Sequence, residues 1–248
     1  MNLAGWPFSI TLLGDVGGGG AAQMFVDLGT PMSAAVFEQM LYAVEVFCAL
    51  GNAGGLGGDR IAPGGVVVEL SASKPPSTGT RGAWDFTRLA IDIRGLIVLF
   101  DALALLADDL RAINITSPGI AQQAAFGPED LPPSWPRLPF GVEDDRTGPN
   151  VELEIDLVRI PDELERDAVL ASLGAWLDAG SIQGFRDWSL GAEHSFIAPT
   201  EDPSFRVQDS TVAALLHDSG ALEGAYDILY NVLTKLHATV PIAVVEIL

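Results

Sequence analysis

The chain has 248 residues and carries 33 acidic against 13 basic side chains, a formal net charge of −20 at pH 7 and a pI near 4.2. A surface this acidic is repelled by phosphate backbones and anionic headgroups, which argues against nucleic-acid and membrane-surface binding, and it draws basic protein surfaces from a distance. A hydrophobic fraction of 48% with mean hydropathy +0.31 is ample for a buried core and excludes general disorder.

Only Lys74 and Lys235 are lysines; the other eleven bases are arginines. Acidity also aids solubility and marks salt-adapted proteomes, so charge alone leaves two readings open, recognition and solubility. Residues 1–6 lack the basic segment and apolar run of a secretory signal. The apolar stretch 95–107 is interrupted by Asp101 and is too short to span a bilayer. The expectation is a soluble cytoplasmic protein. Its single cysteine, Cys48, excludes an intrachain disulfide and fits a reducing compartment.

In chain order, residues 9–13 and 23–28 read as two strands joined by the glycine turn 17–20, with Met24, Val26 and Leu28 on one face. Thr30-Pro31 supplies an N-cap followed by proline at the first helical position. Val36, Phe37, Met40, Leu41, Val44, Phe47 and Cys48 then recur at helical spacing until Gly51. A strand over 66–70 turns through 74–82 and returns over 84–93, where Leu89, Ile91 and Ile93 alternate inward. A helix over 95–109 and a strand over 111–116 complete this part. Residues 117–137 contain Pro118, Pro128, Pro132, Pro133 and Pro136, which neither helix nor central strand tolerates, and they read as a linker.

The strict alternation over 151–157 is the clearest strand signal in the chain. Pro161-Asp162-Glu163 opens a helix with acids in its first turn, and Leu164, Leu173, Trp176 and Leu177 form its apolar stripe up to Gly180. Residues 182–197 and 205–207 read as strands, while 210–219 fits either a strand or a short helix. A last helix over 222–237 and a strand over 240–247 follow, and the apolar end at Leu248 predicts a buried C-terminal residue.

The second half replays the first. Trp6-Pro7-Phe8 recurs as Leu138-Pro139-Phe140, and Val26-Asp27-Leu28 as Ile155-Asp156-Leu157, at an offset of about 130 residues. The element order recurs as well. The predicted fold class is α+β, with two tandem ferredoxin-like (βαββαβ) units, each an antiparallel sheet with two helices on one face. The first covers 1–116, the Pro-rich linker 117–137, and the second 138–248.

No motif carries a catalytic assignment. The glycine stretch 14–20 lies between two strands and lacks a Lys-Ser/Thr pair, so it reads as a hairpin turn rather than a phosphate loop. The glycine stretch 51–58 follows a helix and reads as a C-cap running into a mobile connection. His194, His217 and His237 lie in different elements with no metal-ligand spacing, and Cys48 sits on an apolar stripe as a structural thiol. Asp27 and Asp156 occupy corresponding strand positions, where a twofold relation would admit a carboxylate dyad; solvated carboxylates are the plainer reading. No metal or cofactor is expected.

The acidic second unit is more suggestive. Glu143, Asp144, Asp145, Glu152, Glu154 and Asp156 lie in and beside one strand, with the last three on a single face, a row that repels itself unless a cationic partner or water compensates. Phe185, Trp188 and Phe196 are candidate anchors beside it. The expected function is protein binding without enzymatic activity: an acidic inhibitor or immunity-type antidote that occludes the cleft of a basic toxin or nuclease. A small-molecule site between the two units, or a role as an assembly subunit, are the alternatives.

Overall fold

The computed structural model describes residues 8–57, 61–75, 79–91, 93–118, 138–185, 196–221 and 223–248. It is a mixed α+β fold of two sheets and four α-helices. The first sheet contains β1 (Ser9–Leu13), β2 (Ala22–Leu28), β3 (Val67–Lys74), β4 (Arg81–Ala90) and β5 (Leu110–Thr116), with helices α1 (Ala34–Asn52) and α2 (Ile93–Leu106). The second contains β6 (Gly141–Asp144), β7 (Asn150–Leu157), β8 (Ile197–Pro199), β9 (Arg206–Gln208), β10 (Thr211–Asp218) and β11 (Ile242–Ile247), with α3 (Glu163–Ser181) and α4 (Glu223–His237). The strand orders are β1-β5-β2-β4-β3 and β6-β11-β7-β10-β8, with β9 paired to β10. Most of the Pro-rich segment, 119–137, lies outside the described residues, as do residues 6 and 7 of the first repeated motif.

The expected β1–β2 hairpin does not form, because β5 lies between the two strands and β1 pairs in parallel with β5. The glycine loop joining them is therefore a strap. It crosses the sheet to the end of β4, where the Gly19 N–H donates to the Leu89 carbonyl and the Leu89 N–H to the Gly20 carbonyl, each at 3.0 Å. Gly17 makes this possible: its φ is +92°, and a Cβ there would stand 2.6 Å from the Ile91 carbonyl oxygen. That pairing also ends β4 at Ala90. Ile93 opens α2 instead of extending the strand, since a short apolar run fits either period.

Helix starts differ by a few residues from expectation. Ser33, not Thr30, caps α1, its hydroxyl accepting the Val36 N–H at 3.2 Å, while the Thr30 N–H is held by Asp109 at 2.8 Å. Asp162 caps α3 through a reciprocal pair: its carboxylate accepts the Glu165 N–H at 2.9 Å and Glu165 accepts the Asp162 N–H at 3.0 Å. Leu164 in that first turn is exposed rather than part of the buried stripe. The segment 182–185 is not strand but the turn that closes α3, with the Gly184 N–H returning to the Ala179 carbonyl at 2.9 Å. The ambiguous 210–219 segment is β10; Val212, Ala214 and Leu216 face inward and the strand is paired on both sides. Leu248 is about half exposed, contrary to expectation.

Each sheet buries one face under its helices. Phe37 of α1 stacks on Trp84 of β4 with ring centroids 5.1 Å apart, and the Trp176 indole of α3 donates to the Ala225 carbonyl of α4 at 2.8 Å. The helices then pack on each other, α1 against both α2 and α3, so a single core runs from sheet to sheet. Helix α1 is long and apolar enough to cross a membrane by length and composition; here its apolar surface is divided between the first sheet and α3.

The junction is reciprocal. The loop after α1 is not a mobile connection: Gly54, Gly55, Leu56 and Gly57 are buried, Asn231 of α4 reaches the Gly55 and Gly57 carbonyls at 3.4 and 3.3 Å, and the Lys235 ammonium meets the Asn52 carbonyl at 2.6 Å. The turn after α3 docks in turn on α2, where a Cβ on Gly184 would lie 2.8 Å from Val98. Gly54 and Gly184, Val98 and Ile228, and the buried polar residues Asp101 and Asn231 all stand about 130 residues apart. The backbone at Gly54 has φ +96° and a Cβ there would meet Lys235 at 2.8 Å. Gly54→Ala is expected to destabilise by about 1–2 kcal/mol or more, whereas Gly174→Ala, inside α3 with open space around it, should stabilise by up to about 1 kcal/mol. Urea denaturation of the two variants checks both signs.

Candidate functional site

The outward face of the second sheet follows from the alternation of β7. Val151, Leu153, Ile155 and Leu157 are buried against the helices, which turns Glu152, Glu154 and Asp156 to the opposite side. β11 places Glu246 directly opposite Glu154, and β6 places Glu143 opposite Glu246. Three glutamates thus lie side by side on three adjacent strands, about 4.8 Å apart. Glu152 and Asp156 flank Glu154 along β7. Among the described residues no basic side chain pairs with Glu143, Glu152, Glu154 or Glu246. Asp156 accepts the Thr211 hydroxyl at 2.6 Å. Arg206, in register with Ala213 beside Glu154, is engaged by Glu201 instead.

Glu246 was not among the candidates read from the sequence, where it stands alone in an apolar strand. Its outward parity in β11 was visible there; its place beside Glu154 depends on strand order.

Asp144 and Asp145 do not join this row. Asp144 accepts from Nε and Nη2 of Arg146, each at 2.7 Å, and the Tyr230 hydroxyl donates to it at 3.4 Å. The Arg146 guanidinium lies 3.7 Å over the Tyr226 ring, and the Tyr226 hydroxyl donates to Asp218 at 3.0 Å. Arg146 therefore holds the Asp144 carboxyl below the usual carboxylate range. Burial, with Asp144 adjacent, pushes Tyr230 up to about 12. This cluster satisfies itself and ties β6 to α4. Asp145 is exposed just past β6, its N–H bonded to the Ile247 carbonyl at 2.9 Å.

The corresponding face of the first sheet is neutralised. Asp27 forms a two-point pair with Arg81 at 2.7 and 2.9 Å and accepts from Asn114 at 3.3 Å. Asp85 pairs with Lys74 at 3.0 Å and also takes the Gln23 amide, and Glu69 lies 3.9 Å from Arg88. Asp27 and Asp156 each bond within their own sheet, on faces turned away from the helix layers, and form no dyad.

Other candidates resolve as structure. Phe185 is core, stacked near Trp176, and Phe196 is half-buried beside His217; Trp188 and His194 lie outside the described residues. His237 accepts the Ile242 N–H at 3.0 Å. Among the described residues no group of three His, Cys, Asp or Glu side chains is placed to hold a metal ion. A hollow of about 330 Å³ lies where α1, α2 and Ile182 meet, walled by Tyr42, Ala43, Ala102 and Leu106 with Glu38 and Gln39 at its edge.

Two outcomes follow. Burial pushes the half-buried Cys48 thiol up to about 12, so at pH 8 a thiol reagent should label the native protein only as fast as it opens, and Cys48→Ala should cost about 1 kcal/mol with no other consequence. Because Asp144 titrates low in the folded protein, its contribution is complete above the ordinary carboxylate range and is lost as pH falls through the folded value. Arg146→Gln should raise the Asp144 titration seen by carboxyl NMR and move acid unfolding to higher pH. Compared with protein-family models and with curated proteins, the sequence matches none.

Proposed function

We propose that this protein binds a basic protein through the outward face of its second sheet, acting as an inhibitor or immunity-type antidote that covers the cleft of a basic toxin or nuclease. The observation that carries the reading is the contrast between two corresponding faces. One is laced with ion pairs; the other holds Glu143, Glu246, Glu154 and Glu152 with no cation paired to them among the described residues. Like charges opposite each other across strands destabilise a sheet, and a cationic partner removes that repulsion on binding. The net charge of −20 adds long-range steering toward such a partner. A cytoplasmic site of action belongs to the same reading, supported by the single free thiol.

The fold reading joined to this function is a pair of ferredoxin-like units. It is supported by the orders β5-β2-β4-β3 and β11-β7-β10-β8, each antiparallel with its closing strand beside its first, and each extended at one edge by a parallel strand. A second reading, a small-molecule site at the junction, is favoured by the hollow beside Tyr42; a bound metabolite in native mass spectrometry would support it.

The test is stopped-flow association with the protein encoded by the neighbouring reading frame, at low and moderate salt. The on-rate is expected to fall by about tenfold or more as the Debye length shrinks from about 30 Å to about 8 Å. Glu152→Lys, Glu154→Lys and Glu246→Lys together should slow association while leaving folding nearly unchanged. A rate indifferent to salt and to this charge reversal would reject the acidic face as the recognition surface.

A further inference from the structure

Seven large apolar side chains stand exposed among the described residues, and they are not scattered. Leu248 and Leu215 flank Glu152 on its two sides: Glu152 and Leu248 exchange backbone hydrogen bonds at 3.0 and 2.9 Å, and Leu215 is the register partner of Glu152 in β10. Both point outward by strand parity, beside buried Ile247 and Leu216, and are 47% and 41% exposed. Just past the other end of β7, two positions after the outward Asp156, Val158 is 64% exposed. Ile160 and Leu164, also exposed, follow in the segment that leads into α3. Three of the seven, Leu215, Leu248 and Val158, thus lie at the two ends of the outward row of β7.

The backbone beneath them is fixed. The Val158 N–H is bonded to the Pro241 carbonyl at 2.9 Å, and Arg159 is held by Glu165, which also closes the Asp162 cap. Solvent-facing apolar groups on rigid backbone, bracketing charge, have the composition of an interface centre rather than of ordinary surface.

We infer that this face recognises a basic protein element carrying two apolar anchors about 20 Å apart, with Lys or Arg side chains between them. The spacing is that of the six steps from Glu152 to Val158 at about 3.4 Å each, and it matches about 13 residues of helix at 1.5 Å per residue. Leu248 and Leu215 receive one anchor and Val158, with Ile160, the other. The occupant is cationic because the charged side chains at the centre of the face are carboxylates, Glu143, Glu152, Glu154 and Glu246, with no basic partner among the described residues. The inference rests on the proposed recognition role of the acidic face and adds that apolar anchors, rather than charge, set how long the complex lasts.

Two synthetic helical peptides of equal positive charge test it: one with leucines at the two anchor positions and lysines between, the other with serines in place of those leucines. The leucine peptide is expected to bind at least about tenfold more tightly, through a slower off-rate. Its amide shifts should map to β7, β10, β11 and residue 158. Val158→Ser with Leu215→Ser should abolish most of that difference by speeding dissociation, and leave the salt dependence of the on-rate intact. Leu248→Ser should do part of the same without touching the interior of the sheet, and Leu13→Ser, exposed on the other sheet, should do nothing. Equal binding of both peptides to the acidic face, or indifference to the Val158 and Leu215 changes, would overturn the anchors while leaving the acidic recognition face standing. Binding by neither peptide, or shifts mapping elsewhere, would overturn both.

Discussion

The architecture depends on how closely the two helix layers approach. A helix covering a sheet still has a second side, and in this protein the second sides are buried against each other, α1 on α3, with the turn after each of these helices docked on α4 or α2. The contact tolerates no side chain at Gly54 or Gly184, where a Cβ would stand 2.8 Å from Lys235 or Val98. It also satisfies groups that the fold would otherwise bury at a cost. The carbonyl of Asn52, at the end of α1, is an orphan acceptor that meets the Lys235 ammonium, and the Gly55 and Gly57 carbonyls meet Asn231. With both helix layers used in this way, the broad surfaces left to the protein are the outward faces of its sheets.

Those two faces have similar strand orders and differ in chemistry. On the first sheet each acid has a counter-charge within its own ladder: Asp27 with Arg81, Asp85 with Lys74, Glu69 with Arg88. Exposed pairs of this kind contribute little to stability, yet they cancel the field that the face presents. On the second sheet Glu143, Glu152, Glu154 and Glu246 have no counter-charge among the described residues, and the bases nearby are engaged elsewhere, Arg146 by Asp144 and Arg206 by Glu201. In the Asp144–Arg146–Tyr226–Asp218 chain the acids are bonded to an arginine and a tyrosine, and Arg146 holds the Asp144 carboxyl low, whereas Glu143, Glu152, Glu154 and Glu246 have no basic partner among the described residues.

Local alternation and helical spacing in the sequence were enough to locate β7, the helices and the inward set Met24, Val26 and Ile155, because periodicity is a property of a few neighbouring residues. The net charge and the acidic character of the second half were equally legible, as was the outward parity of Glu152, Glu154 and Asp156. Boundaries failed where an apolar run fits two periods. Ile93 starts a helix, 182–185 closes one, and 210–219 is a strand because β7 and β8 are there to pair with it.

Strand order was decided only in three dimensions. Nothing local says that β5 inserts between β1 and β2, which turns the predicted hairpin turn into a strap held at the end of β4. Nor does the sequence bring Glu143, Glu246 and Glu154 together across positions 143, 246 and 154, or set Leu248 and Leu215 on either side of Glu152. Gly54 reads as a loop residue and Gly184 as part of a strand until the partner helix is seen against them. The physical reason is common to all of these. Side-chain period and charge are written in the chain locally, while pairing partners and close approaches are set by contacts between segments more than a hundred residues apart, whose register only the packed core selects.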